Sequence, residues 1–359
     1  MFGFTSKDMS ELETTYRSNV SIKYVVTVAV MALAAIMAFV SIFLSRFSTI
    51  SPSVAWDVLV CHFHGEDYPG YYENLIVWNM YTPRVIMGLT VGAGLAVCGA
   101  VMQSLLRNPL AEPYTTGVAS GASFGVALYL MMGITLVPLG SYNAELTANA
   151  IILSLVPTAA IILISKRKSI TPTTMILAGI AVMYVFRSAT SLMTLYSDPD
   201  AVAQLYLWNV GSVGAARWDN LWIVVSVTIV GCILLYLFSR QVTIMTTGEN
   251  NAKSMGVHTK IVRTICLILI ASVTAVIVGY CGTIGFMGLI APHVARMIVG
   301  SNLKYMIPCS AACGALILVV CDLIAKMVSD VFYAGVITSI LGGPIFIILL
   351  IKGAKKVWY

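Results

Sequence analysis

Apolar residues run through this chain in long blocks, separated by short polar clusters. Residues 24–45, 85–106, 146–165, 220–239 and 331–351 contain no Asp, Glu, Lys or Arg. Each block has about the ~20 residues a helix needs to cross a hydrocarbon core. Two further uncharged runs, 113–144 and 264–295, are too long for one crossing and must break. Glycines and prolines place the breaks between Gly133 and Gly140 and between Gly279 and Gly285. The pattern predicts an all-α membrane protein with ten spans: 24–45, 85–106, 114–132, 146–165, 173–196, 219–239, 261–280, 284–299, 305–325 and 335–351.

The second break is the most informative segment. Gly282, Gly285 and Gly288 sit in an apolar run that ends in Pro292, His293 and Arg296. Lipid tolerates irregular backbone only where protein or a water-filled cavity covers it. An interrupted, tightly packed helix of this kind belongs to a transport protein rather than to a simple anchor.

Composition agrees: 59% of residues are hydrophobic and 10% charged, against about 25% charged in soluble domains. One transmembrane domain is expected over 23–359, preceded by a polar tail at 1–22. The first span is too long and uncharged for a cleaved signal segment. Of the 21 lysines and arginines, only Arg46, Arg84, Arg187, Arg217 and Lys326 fall on the outer side of this topology. The rest lie inside, so the positive-inside rule puts both termini in the cytoplasm. The net charge of +6 is thus a topology signal. Nucleic-acid binding finds no support, because the basic residues are scattered over loops without an aromatic stripe. The eight cysteines lie mostly within spans and lack zinc-type spacing. No GxxxxGK[ST] run occurs, so ATP and Mg would have to be bound by another subunit. This chain itself calls for no cofactor.

Several motifs, in order, carry a family resemblance. They are Pro83-Arg84; Gly92 to Gln103; Arg107-Asn108-Pro109-Leu110-Ala111-Glu112-Pro113; Gly117 to Ala122; and Gly179. Trp208 to Ser212, Gly248-Glu249 through Gly256-Val257, Gly285 through His293 to Arg296, Asp322, and Gly335 to Pro344 follow. Together they resemble the FecCD-type permeases, the membrane subunits of type II ABC importers for iron-siderophores, haem and cobalamin. The resemblance implies a ten-helix subunit of a bacterial or archaeal plasma membrane. It pairs with a second permease, two cytoplasmic ATP-binding subunits and an extracytoplasmic binding protein. Ferric siderophore is the expected cargo, with haem and cobalamin as alternatives.

The resemblance also assigns roles. Gly248, Glu249, Ala252, Lys253, Gly256 and Val257, in the 240–260 loop, match the segment that couples to the ATPase. Asn108 and Leu110, with Thr171, Pro172 and Thr173, match the inner gate of the translocation path. Arg84 and Lys326 stand where the family receives acidic residues of the binding protein. Lys326 replaces the family's arginine, and a lysine lacks the bidentate fork.

Each motif also has a plainer reading. The loop could be a solvated connector, Thr171 an N-cap with Pro172 at the first helical position, and the outer cations snorkelling helix ends. Arg187 and Asp322 lie within spans, where charge is costly unless paired or wet. Asp322 matches a family position. Arg187 has no family counterpart and either faces the pathway, meeting an anionic substrate, or reaches the outer interface. His293 is expected to be a packing residue, and His62 with His64 lacks a third ligand, so no metal site is assigned. A gradient-driven transporter is the alternative class, but it wants membrane carboxylates, and Asp322 is the one clear example. No nucleophile–base pair supports an enzyme.

Overall fold

The computed structural model describes residues 6–44, 50–167, 172–328 and 333–353, and every regular element among them is helical. The order is α1 Ser6–Phe43, α2 Pro52–Phe63, α3 Tyr71–Asn74, α4 Thr82–Leu106, α5 Val118–Met132, α6 Tyr142–Arg167, α7 Pro172–Leu195 and α8 Pro199–Val210. The remainder are α9 Trp218–Leu237, α10 Ser239–Met245, α11 Glu249–Ser254, α12 Thr259–Cys281, α13 Met287–Val299, α14 Leu303–Val328 and α15 Ala334–Gly353. Thr171, expected at the inner gate, lies outside the described residues.

Among the described residues, seven helices are long and apolar enough to cross a membrane: Val20–Phe43, Tyr71–Leu106, Tyr142–Ile164, Pro172–Leu195, Trp218–Leu237, Thr259–Cys281 and Leu303–Val328. Three shorter apolar helices, Val118–Met132, Met287–Val299 and Ala334–Ile348, occupy the other three expected segments. Both expected breaks are present, between α5 and α6 and between α12 and α13.

Two boundaries differ from expectation. α1 begins at Ser6, inside the stretch read as a polar tail. The second span begins at Tyr71 rather than 85, through a widened π-helical turn at Leu75–Tyr81. Pro83 explains that turn. Inside a helix proline lacks an amide, and its ring presses on the carbonyl one turn back. The wider turn shifts the pairing, so that the Thr82 amide and its hydroxyl, at 2.8 Å, both reach the Val77 carbonyl.

α4 is the core helix, packed on α14, α13, α9 and α12, while α5 packs on α6. Small residues permit this. Gly92 of α4 abuts the backbone of Gly314 in α14, and Gly99 abuts that of Gly288 in α13. Such approaches let dispersion contacts accumulate where lipid offers no hydrophobic drive.

Candidate functional site

The break between α12 and α13 is held in place by its neighbours. Gly282 and Phe286 take left-handed backbone, φ 67° and 66°. The Cys281 carbonyl, freed at the end of α12, accepts the Ser212 amide at 2.7 Å. The Thr283 hydroxyl donates to the Asn209 carbonyl at 2.6 Å, and the Tyr114 hydroxyl accepts the Ile284 amide at 3.2 Å. Backbone groups that lipid could not satisfy are thus met by the end of α8 and by Tyr114.

α13 is locked to α4 by a second device. Gln103 donates its amide to the Gly288 carbonyl at 3.1 Å and accepts from the Arg296 guanidinium at 2.7 Å. Arg296, in the last turn of α13, therefore holds one end of that helix and Gly288 the other. Sequence reasoning quoted Gln103 only as the end of a motif, without a role, and missed Tyr114. A glutamine within an uncharged span was the available signal. His293 is 5% exposed in α13, as a packing residue would be. Its Nε2 finds no hydrogen-bond partner among the described residues. No three His, Cys, Asp or Glu side chains among those residues gather into a metal-holding group.

Beside the break lies a half-open cavity of about 700 Å³, lined by Glu112, Tyr114, Ser120, Ser123, Arg187, Thr190, Ser191, Asn209, Thr283 and Gly285, among others. Arg187 is part of the cavity wall. Ile180, Met183, Arg187, Thr190 and Ser191 line it from α7 at helical spacing, a stripe that was readable in the sequence. α7 meets the α4–α5 connector closely, Gly179 resting on the backbone of Thr115 and Thr116. In that connector Asn108 Oδ1 accepts the Leu110 amide at 3.0 Å, forming a side-chain turn, and Leu110 is 46% exposed. Pro172 starts α7, and Thr173 is exposed beside it.

Both cations expected to meet the binding protein, Arg84 and Lys326, have partners within the chain. Arg84 grips Asp322, Nη2 to Oδ1 at 2.8 Å and Nε to Oδ2 at 2.9 Å. Lys326 is 6% exposed; its ammonium lies 4.0 Å from the Tyr81 ring centre and donates to the Ser41 carbonyl. Its spacing on α14, one turn beyond Asp322, turns it toward α1 and the core rather than toward solvent.

On the opposite side of the sequence topology, α11 stands between Gly248 (φ 124°) and Gly256 (φ 81°). Ala252 and Val257 are buried, and Asn250, Lys253, Ser254, Met255 and Gly256 are exposed. Glu249 meets Lys253 at 3.1 Å and Arg263, at the start of α12, at 3.6 Å. Partial burial pushes the Glu249 carboxyl up, but the Lys253 hydrogen bond and the Arg263 charge outweigh it, leaving its pKa below the ordinary carboxylate value. Of the expected coupling residues, Lys253 and Gly256 face outward, while Ala252, Val257 and Glu249 fix the segment to the body. Met255, 63% exposed, went unnoticed in the sequence.

Residues 31–352 match the FecCD transport family. An archaeal protein of Methanocaldococcus jannaschii described as an ABC transporter permease is 36% identical, over 79% of this chain and 84% of its own. The hemin transport system permease protein HmuU of Yersinia pestis is 34% identical, over 78% of this chain and 84% of its own. A solved transporter in an inward-facing conformation, described as of the metal-chelate ABC type, superposes with a TM-score of 0.78. It is 26% identical and covers 91% of this chain and 99% of its own. With its satisfied helix break, its partly polar cavity and its family match over most of its length, this chain belongs to the FecCD transport family, as a multi-pass ABC permease of the plasma membrane.

Proposed function

We propose that this chain is the membrane half of an ATP-driven importer that moves a metal chelate, most simply a ferric siderophore, into the cytoplasm. Haem and cobalamin are the alternative cargoes. A second permease copy or close relative completes the path, two ATP-binding subunits drive it, and an extracytoplasmic binding protein loads it. The observation that carries this reading is α11: a short helix pinned by Glu249 to Arg263, with Lys253 and Met255 offered outward. Pinning a lever to a spanning helix lets a push from below reach α12 and the break at its far end. α7 supports the dimer, since Leu177, Tyr184, Val185 and Leu192 are each more than 60% exposed. Counting the three short apolar helices as crossings brings the proposed number to ten, with both termini inside. A gradient-driven transporter loses its candidate carboxylate, because Asp322 is committed to Arg84.

Co-expression with the neighbouring ATPase and binding-protein genes, followed by proteoliposome uptake of radio-iron chelates and haem, tests the proposal. Uptake should require ATP and vanish in the Glu249→Ala, Gly256→Pro double variant while membrane insertion persists. Uptake that survives without the ATPase but collapses with an uncoupler would sink it.

A further inference from the structure

We infer that the cavity beside the helix break is an anion-recognising site, in which Arg187 receives a carboxylate of the cargo. This rests on the importer reading and narrows its substrate class to chelates that carry a free carboxylate. Ferric polycarboxylates and haem, with its propionates, satisfy the requirement; cobalamin and neutral trihydroxamates do not.

Three observations lead here. Arg187 sits well inside α7, two turns past the Gly179 contact with the connector, and lines the cavity. It makes no hydrogen bond or ion pair among the described residues. An arginine in a spanning helix needs a counter-charge or water; Arg187 is exposed at the half-open cavity and meets neither a carboxylate nor a carbonyl among the described residues. Of the hydroxyls lining the cavity, Ser120 and Thr190 donate to the Gly117 and Phe186 carbonyls, which leaves those of Ser123 and Ser191 to donate to a ligand. Such groups solvate an oxygen-rich ligand without competing for the guanidinium. The cavity's one carboxylate, Glu112, is in the α4–α5 connector and forms no ion pair with Arg187. The cationic position is therefore open, and the fork of a guanidinium matches the two oxygens of a carboxylate.

The volume fits as well. About 700 Å³ lies within the range of small-molecule sites, ~300–1,000 Å³. A gap of that size, polar on one wall and half open, holds a hydrated chelate rather than a lipid chain.

The test uses the purified full chain in nanodiscs and needs neither the ATPase nor the binding protein. Binding of radio-iron citrate is compared with that of a neutral ferric trihydroxamate, in the wild type, Arg187→Leu and Arg187→Lys. Saturable citrate binding is expected, weakened about tenfold or more by Arg187→Leu, the loss of one charge-assisted contact. Arg187→Lys, which keeps the charge but lacks the fork, should bind between the two, and trihydroxamate should bind no better to wild type than to Arg187→Leu. A thermal melt confirms that the variants fold, which the exposure of Arg187 leads one to expect. As a second readout, Ser191→Cys should react faster with an anionic than with a cationic methanethiosulfonate, and Arg187→Leu should reverse that preference. Absent citrate binding, equal binding to wild type and Arg187→Leu, or an unchanged thiol preference overturns the inference. None of these outcomes bears on ATP-dependence, so the importer proposal would stand or fall separately.

Discussion

Arg84 and Asp322 lie 238 residues apart in sequence and form a two-pronged ion pair that ties α4 to α14. The Asp322 side chain is 4% exposed and that of Arg84 20%. Removing one partner leaves the other charged and nearly dry, which in buried pairs costs about 3–5 kcal/mol. Because Arg84 keeps some water contact, Asp322→Ala should cost about 2–3 kcal/mol. A fall in thermal stability is the expected reading, with Arg84→Met plus Asp322→Leu recovering most of the loss. Equal melting of wild type and Asp322→Ala would show the pair to be ornamental.

Lys326 gives a contrasting case. Lys326→Ala should lower thermal stability, because it removes the cation over Tyr81 and the donor to Ser41. Affinity for the binding protein, measured by surface plasmon resonance, should not change. A docking role would reverse that pattern.

The glycines of α4 are unequal. A Cβ on Gly88 would meet Val319 at 3.5 Å, ordinary contact, whereas one on Gly99 would collide with the backbone of Gly288. Gly88→Ala should be nearly neutral. Gly99→Ala should cost about 1–3 kcal/mol or more, since backbone cannot rotate away. Yields and melting temperatures of the two variants decide the matter.

Glu249 predicts a pH dependence. A carboxyl whose folded pKa is depressed contributes stability that is present above its unfolded value, about 4.3, and lost as pH falls through the lower folded value. Protection of the α11 amides from hydrogen exchange should hold level from neutral pH to about 5 and decline below about 4. Glu249→Gln should remove that dependence from this segment. Its persistence in the variant would deny the carboxylate its role.

Met255 and Lys253 should form the contact with the ATPase. Met255→Asp puts a charge where an apolar side chain is 63% exposed, and is expected to abolish co-purification of the ATPase while the permease still inserts and melts normally. Intact co-purification would move the contact elsewhere.

How much of this was legible beforehand follows from the kind of signal each residue carries. The breaks at Gly133–Gly140 and Gly279–Gly285 could be read because glycine and proline act locally and lipid permits few exceptions. The start of the second span could not. Its π turn depends on how Pro83 is absorbed, and apolar aromatics such as Trp78 read equally well as loop or helix. The 248–257 segment was singled out by the family resemblance, but which of its residues face outward depends on Arg263 reaching back from α12. Arg84 and Lys326 read as docking or snorkelling cations because sequence shows charge without showing partners.

Length of apolar runs, placement of breaks and the distribution of basic residues were settled by the chain alone, because lipid imposes the same requirements on any backbone. The tertiary structure decided which charges are used up and which stay open. It paired Arg84 with Asp322, folded Lys326 onto Tyr81, and left Arg187 facing the cavity. Those outcomes depend on helices brought together from distant parts of the chain, and electrostatic partnership is a property of distance in space.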